Sequence, residues 1–156
     1  MTENPDQRLL SGLALASFHL NGQFLDVAED LARPAGLTAA WWQVLGAVLH
    51  TPQSVADIAR DMGITRQGVQ RVANLLVDKG LAEYRTNPAH RRAKLVAPTA
   101  AGLAAVDGID PTHAEFAARL VAEVGADELA RTLVGIRALS EALDRLADSA
   151  LDRLSP

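Results

Sequence analysis

Residues 54–80 read SVADIARDMGITRQGVQRVANLLVDKG, and this stretch decides the fold of the 156-residue chain. Its first half places Val55, Ile58, Ala59 and Met62 at intervals of three or four, the spacing of one apolar helix face. Gly63 closes that helix as a residue that tolerates a left-handed turn, and Thr65 stands where it can cap a second one. In the second helix Val69, Val72, Ala73 and Leu76 face inward, while Arg66, Gln67, Gln70, Arg71 and Asn74 recur on the opposite face. Two helices around a tight turn, the second with amide and guanidinium side chains outward, predict a helix-turn-helix of the DNA-reading kind. Those groups suit base edges and phosphates. An ordinary amphipathic helix with a solvated face gives the same local pattern, and residues 81–99 separate the two readings.

After Gly80 comes LAEYRTNPAHRRAKLVAPT. Residues 81–86 and 93–97 are strand-like runs, and Asn87, Pro88 and Ala89 supply a turn between them, so a β-hairpin wing is predicted. Arg91 and Arg92 fall at or near its tip and Arg85 and Lys94 on its arms. A hairpin too small to bury much therefore carries four cations, and a tip arginine has the right shape for a minor groove. Charge is segregated in the same sense. Residues 54–98 hold eight basic against four acidic side chains, a net of +4, which leaves the remainder at −8 within an overall −4. Only the middle segment is suited to approach phosphate.

These segments resemble the MarR family of bacterial winged helix-turn-helix transcription regulators, and the resemblance covers nearly the whole chain. Leu37 and Thr38, followed by Trp42, Val44 and Leu45, look like the family's second helix, and residues 54–80 like its helix-turn-helix. Asn87, Pro88, Arg91, Arg92 and Ala93, then Leu95 and residues 99–102, look like its wing and the start of the next helix. Two positions depart from the pattern. His90 stands where an acidic residue usually precedes the paired arginines, and a histidine titrating near neutrality would change the charge of the wing. Trp41 replaces a common polar residue, giving two adjacent indoles that point in different directions.

The chain's ends are amphipathic as well. Leu10, Leu13, Leu20, Phe24, Val27 and Leu31 follow helical spacing, as do Leu129, Leu133, Ile136, Leu139, Leu143 and Leu146. A single small winged helix cannot cover both stripes, so they are expected to pair between two chains, although an intramolecular bundle in a monomer would also use them. The resemblance implies the dimer. The expected organisation is mainly α with a small β wing, residues 1–36 and 99–156 forming the helical dimerisation region and residues 37–98 the DNA-binding lobe. Within residues 99–124, where the family has one long helix, Gly108 and Pro111 predict a break, with a new helical piece starting at Asp110.

The function implied is that of a sequence-specific regulator, a repressor as in most of the family, binding a palindromic operator in double-stranded DNA as a homodimer. Ser54, Thr65, Arg66, Gln67, Gln70, Arg71, Asn74, Arg85, Arg91, Arg92 and Lys94 form the expected DNA-contact set. Among them Arg66, Gln67, Gln70 and Arg71 are assigned to the major groove and Arg91 to the minor groove. Arg92 and Lys94 are assigned to phosphate or to wing support. The resemblance further implies release by a small aromatic or phenolic effector, for which Phe18, His19, Trp41, Trp42 and His113 are candidate contacts.

Other classes fare worse. The absence of cysteine removes disulfides, thiolate zinc sites and thiol-based oxidant sensing. Asp110 and His113 are the only acidic residue and histidine at i, i+3 spacing, too few ligands for a metal-responsive regulator, and no cofactor is expected. No Gly-x-Ser-x-Gly elbow, phosphate-cradling glycine loop or HExxH argues for an enzyme. Residues 34–56 lack Asp, Glu, Lys and Arg over 23 positions, but Pro34, Gly36, Thr38, Gln43, Pro52 and Gln53 interrupt them, so a buried helix rather than a membrane span is expected. The start MTENPDQR has no secretory pattern, which gives a cytoplasmic location as the expectation. The remaining rival is a winged helix used for protein contacts, or one without specific DNA binding, and such a module would not need four arginines together beside an acidic body.

Overall fold

Capping chemistry fixes where most of the helices begin. The computed structural model describes residues 4–152, with α1 at Pro5–Ala32, a 3₁₀ turn at Arg33–Ala35, α2 at Ala39–Val48, β1 at Gln53–Ser54, α3 at Val55–Met62 and α4 at Arg66–Asp78. Then come β2 at Ala82–Arg85, β3 at Leu95–Pro98, α5 at Ala100–Asp107, α6 at Asp110–Val124 and α7 at Ala126–Asp152. Asn4 starts α1: its side chain accepts from the Asp6 N–H at 3.0 Å, and the Gln7 side chain accepts from the Asn4 N–H at 3.1 Å. Thr38, Ser54, Thr65 and Thr99 place a hydroxyl oxygen on an early N–H of α2, α3, α4 and α5 in turn. The Glu29 carboxylate of α1 also accepts from the Ala39 N–H at 2.7 Å, so α1 caps α2 and fixes its approach.

The turn of the helix-turn-helix forms as the sequence predicts. Gly63 has φ 64°, a left-handed conformation that a Cβ would strain, and the Ile64 N–H reaches back to the Ala59 carbonyl at 3.1 Å. Val69, Val72, Ala73 and Leu76 of α4 are buried against Ile58 and Ala59 of α3 and Val44, Leu45 and Val48 of α2. Each fully buried valine or leucine there contributes roughly 1.5–3 kcal/mol relative to exposure. Leu31 and Ala32 of α1, Val96 of β3, Val106 of α5 and Ile109 in the turn after it belong to the same core.

The sheet is antiparallel with strand order β1-β3-β2, pairing Ala82 with Pro98 and Arg85 with Leu95 on one side and Ser54 with Leu95 on the other. Strand β1 is two residues long and has no pattern of its own; it exists because β3 offers an unpaired edge where the chain enters α3. Strand β3 starts two residues later than expected, which leaves Lys94 in the wing loop rather than on an arm.

The helix after the wing breaks between Asp107 and Asp110, as Gly108 and Pro111 predict. Asp110 is itself helical, and Pro111 lies in the first turn, where its missing N–H is not needed. A second break, not anticipated, falls at Gly125, whose φ of 94° ends α6 and allows α7 to start at once. Packing divides the described residues into two bodies, one ending at Thr112 and the other beginning at His113. The apolar stripes of α1 and α7 stay open in the single chain: Leu10, Leu13 and Leu20 are 62%, 42% and 37% exposed, and Leu133, Ile136, Leu143 and Leu146 are 48–65% exposed, with Leu139 half-buried. Among the described residues no helix is long and apolar enough to cross a membrane.

Candidate nucleic-acid interface

Residues at the exposed face of α4 are held out by the burial of the opposite face. Arg66, Gln67, Gln70, Arg71 and Asn74 are all exposed, and Thr65, at the head of the helix, accepts from the Gly68 N–H at 3.0 Å. Between α4 and the wing lies a cleft of about 570 Å³, lined by Arg66, Gln67, Gln70, Tyr84, Arg92 and Lys94 together with the start of α3. The helix-turn-helix and the wing therefore share one concave, cationic face.

Ion pairing sorts the cations of this segment. Arg60 is held by Asp57 at 3.0 Å and Asp61 at 3.5 Å, and Arg85 by Glu83, its neighbour on the same face of β2, at 2.7 Å. Among the described residues Arg66, Arg71, Arg91, Arg92 and Lys94 have no carboxylate within ion-pair distance. Apart from Lys79 at the C-cap of α4, the uncompensated charge of this segment is on the α4 face and in the wing loop, where a polyanion would release counterions on binding. Arg85, expected as a DNA contact, is already engaged by Glu83, though it stays exposed.

Ser54 caps α3: it is 7% exposed, its hydroxyl accepts from the Asp57 N–H at 3.2 Å and donates to the Asp57 carboxylate at 2.6 Å, and it also lines the cleft between α4 and the wing. The Ser54 hydroxyl, more than the nearby Arg60, holds the Asp57 carboxyl below the usual 3.8 against a smaller opposing effect of burial.

Within the wing, the Ala89 N–H donates to the Asn87 side chain at 3.0 Å, making the turn, and His90, Arg91 and Arg92 are exposed beyond it. Sequence reasoning misses Tyr84. Its hydroxyl bonds both Gln70 and Asn74 of α4, and the Lys94 ammonium lies over its ring, 5.7 Å from the centroid. Burial pushes this hydroxyl above the ordinary tyrosine range and the Asp78 carboxylate adds to the shift, while the Gln70 hydrogen bond opposes it. Only the alternation of β2, which turns Tyr84 to the face opposite Glu83 and Arg85, hints at this from sequence.

Of the effector candidates, Trp41 and Trp42 are half-buried on α2 against the core, whereas Phe18 is 73% exposed and His19 exposed on α1. His113 is exposed on α6, at the start of the second packed body.

A helix-turn-helix followed by a two-stranded wing, with β1 ahead of it completing the sheet, defines a winged-helix protein. Residues 35–93 match the family model described as MarR family. An uncharacterized protein of Mycobacterium tuberculosis is 47% identical over 85 residues, a match that spans 54% of this chain and 59% of the relative's length. Two solved structures share the fold over more of the chain. A MarR variant from Escherichia coli complexed with operator DNA has a TM-score of 0.73 at 19% identity, covering 88% of this chain and 99% of that one. A Staphylococcus aureus MarR in complex with salicylate and kanamycin has a TM-score of 0.71 at 17% identity, covering 88% and 94%. The chain thus has the mostly helical, small-sheet fold of MarR-family transcription regulators.

Proposed function

We propose that the chain is a sequence-specific transcriptional regulator that binds a palindromic operator as a homodimer. The observation that carries this reading is the clustering of uncompensated cations on one surface: the α4 face and the wing loop together hold five arginine and lysine side chains without carboxylate partners among the described residues, on a chain whose net charge is −4. A helix face for the major groove and an arginine-tipped loop for the minor groove is the division of labour that such a surface supports. The fold's likeness to an operator-bound MarR supports it as well. In this reading residues 37–98 are the DNA-binding lobe and the exposed stripes of α1 and α7 are the faces of the dimer, because so much aliphatic surface on two long helices needs a cover.

Repression relieved by a small aromatic acid is the mode of control we favour, supported by a fold neighbour that binds salicylate and by the half-buried Trp41 and Trp42 at the start of α2. The test of the function is binding of the purified protein to a random duplex library across a salt series. Recovery of a palindrome with affinity falling steeply in salt supports the reading, and binding with no preferred sequence overturns it. Titration of salicylate against the selected duplex then tests release.

A further inference from the structure

Recognition helix and wing are joined by a closed ring of three hydrogen bonds. Gln70 Nε2 donates to the Tyr84 hydroxyl at 2.7 Å and to Asn74 Oδ1 at 3.0 Å, and the Tyr84 hydroxyl donates to Asn74 Oδ1 at 2.5 Å. The ring engages Gln70 Nε2, the single hydroxyl hydrogen of Tyr84 and Asn74 Oδ1. What remains is Gln70 Oε1, which can only accept, and Asn74 Nδ2, which can only donate. An unconstrained glutamine or asparagine pairs with adenine through one donor and one acceptor at once. The ring denies that mode to both residues.

We propose that Tyr84 is a specificity-determining positioning residue: by fixing both amides in one orientation, it makes Gln70 a reader of exocyclic amines and Asn74 a reader of acceptor edges one helical turn along α4. The amines are those of adenine and cytosine; the acceptors are guanine O6 and N7, thymine O4 and adenine N7. The inference rests on the DNA-binding reading above. Tyr84 belongs to β2, so the same hydroxyl that orients the amides also ties the wing to the helix, and Lys94 over its ring holds it from the wing side. With its hydroxyl protonated at neutral pH, Tyr84 keeps the donor that the ring requires.

The experiment is selection of duplexes by the wild-type chain and by Tyr84→Phe in parallel, each across a salt series. Phenylalanine keeps the ring and its packing and removes both roles of the hydroxyl. Wild type is expected to select an amine-bearing base at one position and an acceptor edge beside it, each with about tenfold discrimination. In Tyr84→Phe, discrimination at those two positions falls to about threefold or less, or moves to adenine as the amides regain bidentate pairing, while other positions and the salt slope are unchanged because no phosphate contact is lost. Tyr84→Phe with wild-type preference at every position overturns the proposal and leaves DNA binding intact. A wild-type chain that selects no sequence overturns both. In the free protein, side-chain amide protons of Gln70 should exchange with solvent more slowly than those of Gln67, which lies outside the ring, and the difference should vanish in Tyr84→Phe. Equal exchange in the wild type contradicts the ring itself.

Discussion

Gly102→Ala should destabilise the DNA-binding lobe by several kcal/mol, because α5 crosses the entry to the wing at backbone contact. A Cβ on Gly102 would fall 1.9 Å from the Leu81 carbonyl oxygen and 3.0 Å from its carbon, with Leu45 Cδ2 at 3.4 Å. Relief requires the two backbones to part by roughly 1 Å or more. Two hydrogen bonds span that gap, from the Thr99 N–H to the Leu81 carbonyl at 3.1 Å and from the Thr99 hydroxyl to the Gly80 carbonyl at 2.6 Å. Overpacking costs about 1–3 kcal/mol and each strained hydrogen bond about 1 kcal/mol, while alanine's helix propensity offsets about 1 kcal/mol, leaving a net loss of about 2–4 kcal/mol. For a chain of this size that lowers Tm by roughly 4–16 °C. Thermal unfolding followed by circular dichroism reads it directly, with Gly46→Ala as control: Gly46 is exposed in α2, its Cβ would meet nothing within 4 Å, and the change should stabilise by about 0.4–1 kcal/mol. A Gly102→Ala chain melting with the wild type would refute the close-contact argument.

Arg91→Ala should weaken operator binding by about 1–3 kcal/mol and relax preference at the flanks, whereas Arg92→Ala should lower the salt slope by about one with base preferences intact; quantitative gel shifts across salt concentrations separate the two. Leu143→Glu places a charge on the open stripe of α7, where Leu143 is 52% exposed, and should convert a species of twice the 16.5 kDa chain mass into a single chain in light scattering, with operator affinity down about a hundredfold. Because Asp57 is held below 3.8 in the folded chain, its contribution is present above that pH and is lost as pH falls through the lowered value. The stability gap between wild type and Ser54→Ala should therefore be constant from pH 7 to about 5 and narrow toward pH 2, and a gap independent of pH contradicts the assignment.

Most of the fold was legible because its signals are local. The 3/4 spacing of Ile58, Ala59, Val69, Val72, Ala73 and Leu76, the glycine at 63 and the threonine at 65 each specify their element without distant partners, and all sit as their pattern demands. Gly108 and Pro111 likewise break the helix at the place their backbone preferences dictate. What was not legible depends on partners far along the chain. Strand β1 forms only because β3 is there to pair with it, and Ser54 reads equally as a surface contact until its burial and its bonds to Asp57 are known. Tyr84 lies ten residues from Asn74 and fourteen from Gln70, so no spacing rule links them. Among the effector candidates the stripe rule gives position without surroundings: Phe18 and Trp42 both fall on helices, and only packing distinguishes an exposed ring from a half-buried one.

If α4 and the wing loop of two chains grip one palindrome, hydroxyl-radical footprinting of the selected duplex will show it most directly. Two protected blocks related by a dyad are expected, their centres about one helical turn apart, roughly 10–10.5 base pairs, with minor-groove protection at the outer edge of each that disappears in Arg91→Ala. A single unpaired block, or symmetric blocks whose flanks are unchanged by Arg91→Ala, would contradict it.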